Sequence, residues 1–512
     1  MNQFCGVCKK SAIQSCSACN SIYYCGKEHQ RYHWKHHKAT CVPFKTVNDE
    51  NGKVLIAIRN IEAGEKIITK LPLLTGPISE KDLICVSCFM KIDEKCAVEC
   101  FSCGLKLCSE SCNLQTGHKA FCEILKKSEL KAEKCPNLLK FLIPLKILML
   151  KSSDYKTFDS IVSNYVYQEP KQQLKNIVLE LTRLCEQLGI ACAAEELSKI
   201  LVISKKNFIE IKDPKVENTK ALYQAVPCLK QNCVPNTKNV FIGDANQLSI
   251  FATVPIKKGE VLKTNFAEPL WGTLERLTYL KATKYTECSC DRCKDPQELG
   301  AYVSSIYCQK CKDSLLEDIS PKIISSNPID TEAEWKCEKC ENTIQAKQIC
   351  FGNKSLTREL NGKNMKDPKG LEHFLFKYGE ILHPTNSFSL RVKLRLVQLY
   401  GNSEGFKYKD LPLELLERKI HLCQELLDIA DKIDPGYSRF RGILLYELQT
   451  AIVLQTKMEF CKDLITKTGA EEKLKKSLDI LQESCKILLV EPEFKETLQE
   501  KLETLSSMIE VQ

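Results

Sequence analysis

The stretch CGVCKKSAIQSCSACNSIYYCGKEHQRYHWKHHKATC, residues 5–41, decides how the chain is read. It offers Cys5, Cys8, Cys16, Cys19, Cys25, His29, His37 and Cys41, eight sulfur and nitrogen donors in closely spaced pairs. Eight such donors make two tetrahedral zinc sites, because zinc takes four soft ligands and has no geometric preference of its own. His33 and His36 compete for the same role, but their spacing fits less well and they read as solvated helix residues.

The rest of the chain supports metal over disulfide. Its 512 residues are too many for one core and suggest three or four domains. With 43% hydrophobic and 27% charged residues the composition is that of a globular protein, and a net charge of +9 permits an acidic partner without demanding one. The start, MNQFCGVCKKS, lacks the apolar run of a secretory signal. The most apolar segment, LLKFLIPLKILML at 138–150, is interrupted by Lys140 and Lys146 and is too short to span a bilayer. A cytoplasmic and nuclear location is expected, and in that reducing environment most of the 30 cysteines read as thiolate ligands.

Three further clusters follow. Cys85, Cys88, Cys100, Cys103, Cys108, Cys112, His118 and Cys122 repeat the order of the first, leaving Cys96 over as a buried thiol. CSCDRC supplies Cys288, Cys290 and Cys293, a three-ligand set that is either open and catalytic or closed by a distant cysteine. Cys308, Cys311, Cys337 and Cys340 form two CxxC knuckles with zinc-ribbon spacing. Cys135, Cys185, Cys192, Cys228, Cys350, Cys423, Cys461 and Cys485 read by default as small buried hydrophobes.

Between clusters, KVLIAIRNIEAGEKIITKLPLLTGP (53–77) alternates β-branched residues around a Gly64 turn, and NQLSIFATVPIKKGEVLKTNF (246–266) does so around Lys258-Gly259. Residues 172–203 place Leu174, Ile177, Leu181, Leu184 and Leu188 on one helical face. From about 370 the pattern is helical: Leu474, Leu478, Leu481, Cys485 and Leu488 recur at helical spacing, and KIDPGYS (432–438) reads as a stop, a turn and a Ser438 cap.

This order of parts resembles the SET and MYND domain family of lysine methyltransferase-like proteins. The phrases PLWGT (269–273), ATKYTECSCDRCKDPQELGAYVS (282–304) and LERKIHLCQELLDIADKIDPG (416–436) are similar to its arthropod branch. The resemblance implies an α+β protein: a multi-zinc SET-domain β core with inserted MYND fingers, a post-SET zinc site, a zinc ribbon and an all-α C-terminal helical domain. Residues 1–45 would be an N-terminal finger, 46–82 the first SET strands, 83–124 a second finger inserted in the SET domain, and 125–215 a helical insert. Residues 216–275 would be the SET core, 276–350 the post-SET site and ribbon, and 355–512 a helical domain of tetratricopeptide type. Cross-braced pairing is implied for the finger: Cys5, Cys8, Cys25 and His29 on one zinc, and Cys16, Cys19, His37 and Cys41 on the other. The resemblance also closes the three-ligand set with Cys233 of KQNCVPN (230–236), which makes about six zinc ions in all.

The family's reaction moves a methyl group from S-adenosylmethionine to a lysine amine, and three of its positions are altered. NGKVL (51–55) keeps Gly52 and Lys53 but has Val54 where a second glycine belongs, and β-branching disfavours the open backbone required there. The Asn-His-Ser triplet that lines the cofactor pocket is Lys230, Gln231 and Asn232. The catalytic tyrosine position holds Phe266, while Tyr285 matches a family aromatic near the substrate channel. Losing one oriented hydroxyl costs roughly 10²–10³ in rate. Two functions follow from the resemblance: a methyltransferase acting on histone or non-histone lysines with weakened activity, or a zinc-stabilised scaffold or transcriptional regulator. The scaffold would bind proline-containing motifs or lysine-bearing tails as a monomer. HQRYHWKHHK (29–38) interleaves basic and aromatic residues as a nucleic-acid contact would, although a solvated helix face is the commoner cause.

Overall fold

The computed structural model describes residues 4–16, 22–49, 52–78, 83–93, 95–135, 137–163, 174–211, 218–224, 226–242, 246–312, 321–362 and 365–510. Its β core is assembled from strands far apart in the chain. Phe44–Asp49 and Gly52–Ala57 form an antiparallel hairpin, closed where Asp49 faces Gly52 at φ +123, a value that favours glycine. Lys66–Lys70 pairs with Gln247–Ala252, which pairs in turn with Thr237–Ile242. Leu74–Pro77 pairs with Thr219–Leu222, and that strand pairs with Ile209–Glu210. Lys230–Gln231 lies parallel to Lys263–Thr264. The β-branched residues read from the sequence meet here: Ile61, Ile67, Ile68, Ile250 and Ile256 pack with Leu55, Ala221, Tyr223, Leu248 and Leu262. Each such side chain withdrawn from water contributes about 1.5–3 kcal/mol.

Every strand pairing across 78–208 brackets an insertion, which has its own core. There the second cysteine-rich module and the helices share one cluster, including Cys103, Leu107, Phe121, Leu142, Ile147, Leu181, Ile200 and Leu201. Leu142–Ser153 is apolar on most of its faces and sits in the middle of that cluster. Lys146, within it, keeps its charge satisfied by donating to the Thr75 carbonyl (3.2 Å) and lying 4.4 Å over the Phe89 ring. The single helix expected over 172–203 is two, Lys175–Gln187 and Ala194–Lys206, because Gly189 adopts φ +69 and turns the chain between them.

The C-terminal part is built of antiparallel helices, among them Leu413–Ile433, Arg439–Cys461, Lys467–Leu488 and Lys495–Glu510. Ser438 caps the second of these by accepting from the Arg441 N–H, as its sequence position suggests. Leu474, Leu481, Cys485 and Leu488 are buried along one face of the third. Lys419 lies wholly inside, donating to the carbonyls of Val397 and Tyr400 and pairing with Glu447 at 2.6 Å. These helices dock on the β core through Lys238, whose Nζ donates to the Ile487 carbonyl (2.7 Å), and through Tyr437, whose N–H donates to the Thr253 carbonyl (2.7 Å). Between the two parts runs a four-stranded antiparallel sheet, Ile306–Tyr307, Lys322–Ser325, Trp335–Cys337 and Thr343–Ile344. Among the described residues no helix is long and apolar enough to cross a membrane.

Candidate functional site

Three CxxC turns share one local design. Cys5 N–H donates to the Lys10 carbonyl while Lys9 N–H returns to Cys5; Cys85 and Phe89, then Cys100 and Gly104, repeat both bonds. The fifth residue of each turn, Lys9, Phe89 or Gly104, takes a positive φ, which aims both sulfurs at one point. Cys5, Cys8, Cys25 and His29 converge so that their donor atoms lie within 4.8 Å of one another, and so do Cys85, Cys88, Cys108 and Cys112, then Cys100, Cys103, His118 and Cys122. Sulfur separations are 3.6 Å for Cys8–Cys25, 3.4 Å for Cys88–Cys108 and 3.9 Å for Cys100–Cys122. A disulfide needs about 2.0 Å, whereas Zn–S bonds of about 2.3 Å in a tetrahedron put sulfurs about 3.8 Å apart. The donor sets fit zinc.

The histidines confirm the ligand geometry. His118 donates from Nδ1 to the Asn113 carbonyl (2.8 Å), which leaves Nε2 facing Cys103 at 3.3 Å as a ligand nitrogen. His29 instead turns Nδ1 toward Cys25 at 3.0 Å. Cys16 and Cys41 lie 3.4 Å apart, and buried His37 packs against Tyr24 in the same cluster; Cys19 falls outside the described residues. Burial holds His37 below its usual range, with His33 adding to that, so its neutral form is favoured. His36 is exposed, whereas His33 is not merely solvated: its Nδ1 bonds the Tyr24 hydroxyl (3.0 Å) and its ring stacks on His37. Cys96 is exposed, not the buried thiol expected, and so is Cys461.

Cys233 closes the third set: it lies 3.9 Å from Cys288 and 3.4 Å from Cys293, and Cys290 completes the group. Cys308–Cys340 (3.7 Å) and Cys311–Cys337 (3.8 Å) make the ribbon site on the four-stranded sheet. Sequence reasoning missed the shell around Cys233. Arg276 and Arg292, both wholly buried, share Glu298, and Arg276 reaches Cys293 Sγ at 3.6 Å. Burial alone would raise the Glu298 carboxyl, but the two guanidiniums hold it below its usual range. A tetrathiolate zinc centre carries a net negative charge, and buried arginines offset it. Arg292 inside CSCDRC was the available signal.

Several of the positions that the resemblance points to lie on or beside the Lys230–Gln231 strand. Lys230 Nζ pairs with Asp49 at 3.1 Å and is thereby drawn to the hairpin tip, where Gly52 and Lys53 begin the second strand. Val54 is a strand residue of that hairpin, opposite Val47, with its side chain buried. Gln231 spends its amide internally: Oε1 accepts from the Phe266 N–H (2.9 Å) and Nε2 donates to Asn265 (3.3 Å). Asn232 accepts from the Val234 N–H. Phe266 packs with Trp271, Leu277 and Tyr279 beside Cys233. Tyr285 is the left-handed cap of the helix Thr273–Lys284, and it is the preceding residue, Lys284, whose Nζ lies 5.4 Å over the Phe266 ring.

The MYND finger family matches residues 5–41. The SET domain-containing protein SmydA-8, isoform B, of Drosophila melanogaster is 24% identical over 422 residues, covering 78% of this chain and 89% of its own length. Over most of its length the chain is similar to SET domain-containing relatives, and its first 41 residues carry the MYND finger. A protein of Arabidopsis thaliana named histone-lysine N-methyltransferase ASHR1 is 22% identical over 433 residues, 78% of this chain and 84% of its own. The solved SET domain of LSMT bound to lysine and AdoHcy aligns over 84% of this chain and 91% of its own, with 11% identity and a TM-score of 0.30. The chain thus has an arthropod relative over most of its length, and its structure is an α+β fold with several donor sets that fit zinc.

Proposed function

We propose that this SET and MYND protein is a zinc-stabilised interaction scaffold of the cytoplasm and nucleus in which methyl transfer is weak or lost. The observation that carries the reading is the use of Gln231. In the family triplet this position faces the cofactor; here both ends of its amide are bonded to Asn265 and to the backbone of Phe266. Lys230 is committed to Asp49, and Val54 narrows the approach beside Gly52. These residues do not fit S-adenosylmethionine. The absent hydroxyl at Phe266 removes the group that would orient an incoming amine. Five of the expected zinc centres, by contrast, have their donor sets in place, and the fingers and C-terminal helices would offer surfaces to proline-containing or lysine-bearing peptides.

Calorimetric titration of the intact protein with S-adenosylmethionine tests this, together with a methyl-transfer assay on lysine peptides. Weak or no binding is expected, and Phe266→Tyr alone leaves turnover undetectable. Micromolar binding with methylation of any peptide by the unaltered protein overturns the reading.

A further inference from the structure

Lys284 is the last residue of the helix Thr273–Lys284, and the left-handed turn at Tyr285 (φ +45) ends that helix and sends the chain on to Cys288. Its side chain is half-buried. The ammonium donates to the Phe208 carbonyl at 2.9 Å and lies 5.4 Å from the centroid of the Phe266 ring. Phe208 is itself buried and follows the helix Ala194–Lys206, so one wall comes from the insert and the other from the SET core. A carbonyl oxygen and an aromatic face, about 6 Å or less from a cation, are the two elements of an ammonium site. Burial pushes the Lys284 amine down to about 8, with Lys220 adding to that and Glu210 opposing it, so the carbonyl and the ring offset only part of the cost of burying the charge.

We propose that Phe208 and Phe266 form a seat for a primary ammonium group and that Lys284 of the same chain fills it, so the protein occupies its own lysine channel. The inference rests on the reading that the Phe266 face is where a substrate amine would lie. It adds a cause for inactivity distinct from the missing hydroxyl. In Phe266→Tyr the hydroxyl returns to a ring already covered by a lysine, and an incoming lysine tail meets a filled site. Removing the Lys284 side chain opens a cavity selective for primary alkylammonium ions, because the carbonyl requires a donor and the ring favours positive charge.

The test uses full-length, zinc-loaded protein, native and with Lys284→Ala, titrated with n-butylammonium and, as a neutral probe of the same length, n-butanol. Thermal unfolding and calorimetry are read. Lys284→Ala is expected to bind n-butylammonium roughly tenfold more tightly than the native protein does, and to be stabilised by it but not by butanol. Should Lys284→Ala fail to fold, refolding in butylammonium, and of Lys284→Ser likewise, supplies the same readout. Equal responses of native and variant, or equal effects of the amine and the alcohol, overturn the seat. Neither measurement involves cofactor or turnover. A failed seat therefore leaves the scaffold reading standing, and methylation by the native protein overturns that reading without touching the amine result.

Discussion

Gln231 acts here as a strut. Its Oε1 accepts from the Phe266 N–H in a partly buried setting, so Gln231→Ala leaves that donor unpaired. The expected cost is about 1–2 kcal/mol, read as a lower denaturation midpoint and faster amide exchange at Phe266. That the triplet at 230–232 and Phe266 were altered was legible from the letters alone, since the resemblance fixed which positions to inspect. What occupies the space instead was not. Lys284 is one of many lysines, and nothing in its spacing separates it from exposed Lys281, three residues earlier on the same helix. Only the turn at Tyr285 and the placement of Phe208, 76 residues away, bring it onto the ring.

Elements explain why the metal sites could be read so early. A CxxC turn is local: five or six residues set both sulfurs, so spacing in the sequence maps directly to geometry, and the same pair of backbone bonds recurs at Cys5, Cys85 and Cys100. The break at Gly189 was less visible, because the apolar spacing of 174–188 runs right up to it and a lone glycine is tolerated in helices. Of the buried charges behind the Cys233 site only Arg292, inside CSCDRC, carried a signal; Arg276 lies on the helix after PLWGT and Glu298 in the loop after CSCDRC, and neither spacing ties them to the cysteines. Replacing Arg276 with Met leaves Glu298 to Arg292 alone and withdraws a donor from Cys293 Sγ. We expect about 3 kcal/mol of lost stability and zinc release to a chelator about tenfold faster from that centre. Arg391→Met, which breaks a half-exposed pair with Glu275, should change stability by less than about 1 kcal/mol.

At the scale of the molecule, the joint between β core and C-terminal helices is tight and charged. A Cβ at Gly436, whose φ is +73, would stand 2.2 Å from the Thr253 carbonyl oxygen. Gly436→Ala is therefore expected to cost about 3 kcal/mol, measured as a drop in the unfolding midpoint. Two residues earlier, burial pushes the Asp434 carboxyl up to about 6 despite Ser438, Arg292 and Lys238, while Glu268 reinforces the rise. Because this lies above the unfolded value of about 3.9, folding favours the protonated acid. Its contribution is full below about pH 4 and is lost as pH rises through about 6. Asp434→Asn should remove that slope and gain up to about 3 kcal/mol over the native protein at pH 7.5, read by denaturant titration of both proteins across pH 4–8. Elemental analysis should return about six zinc ions per chain, and chelation should unfold the fingers before the helical domain.

The pairing of Lys66–Lys70 with Gln247–Ala252 has a consequence for synthesis. Thr69 and Ser249, joined across the sheet by their hydroxyls, are 180 residues apart. At about 5–20 residues per second the ribosome needs roughly 10–35 s to deliver the second strand after the first. Throughout that interval the nascent chain carries an unpartnered hydrophobic edge, while the cysteine knuckles between can already close on metal. Zinc supply during translation, rather than the sheet itself, would then set the order in which this polypeptide becomes ordered and how long that edge stays open to chaperones.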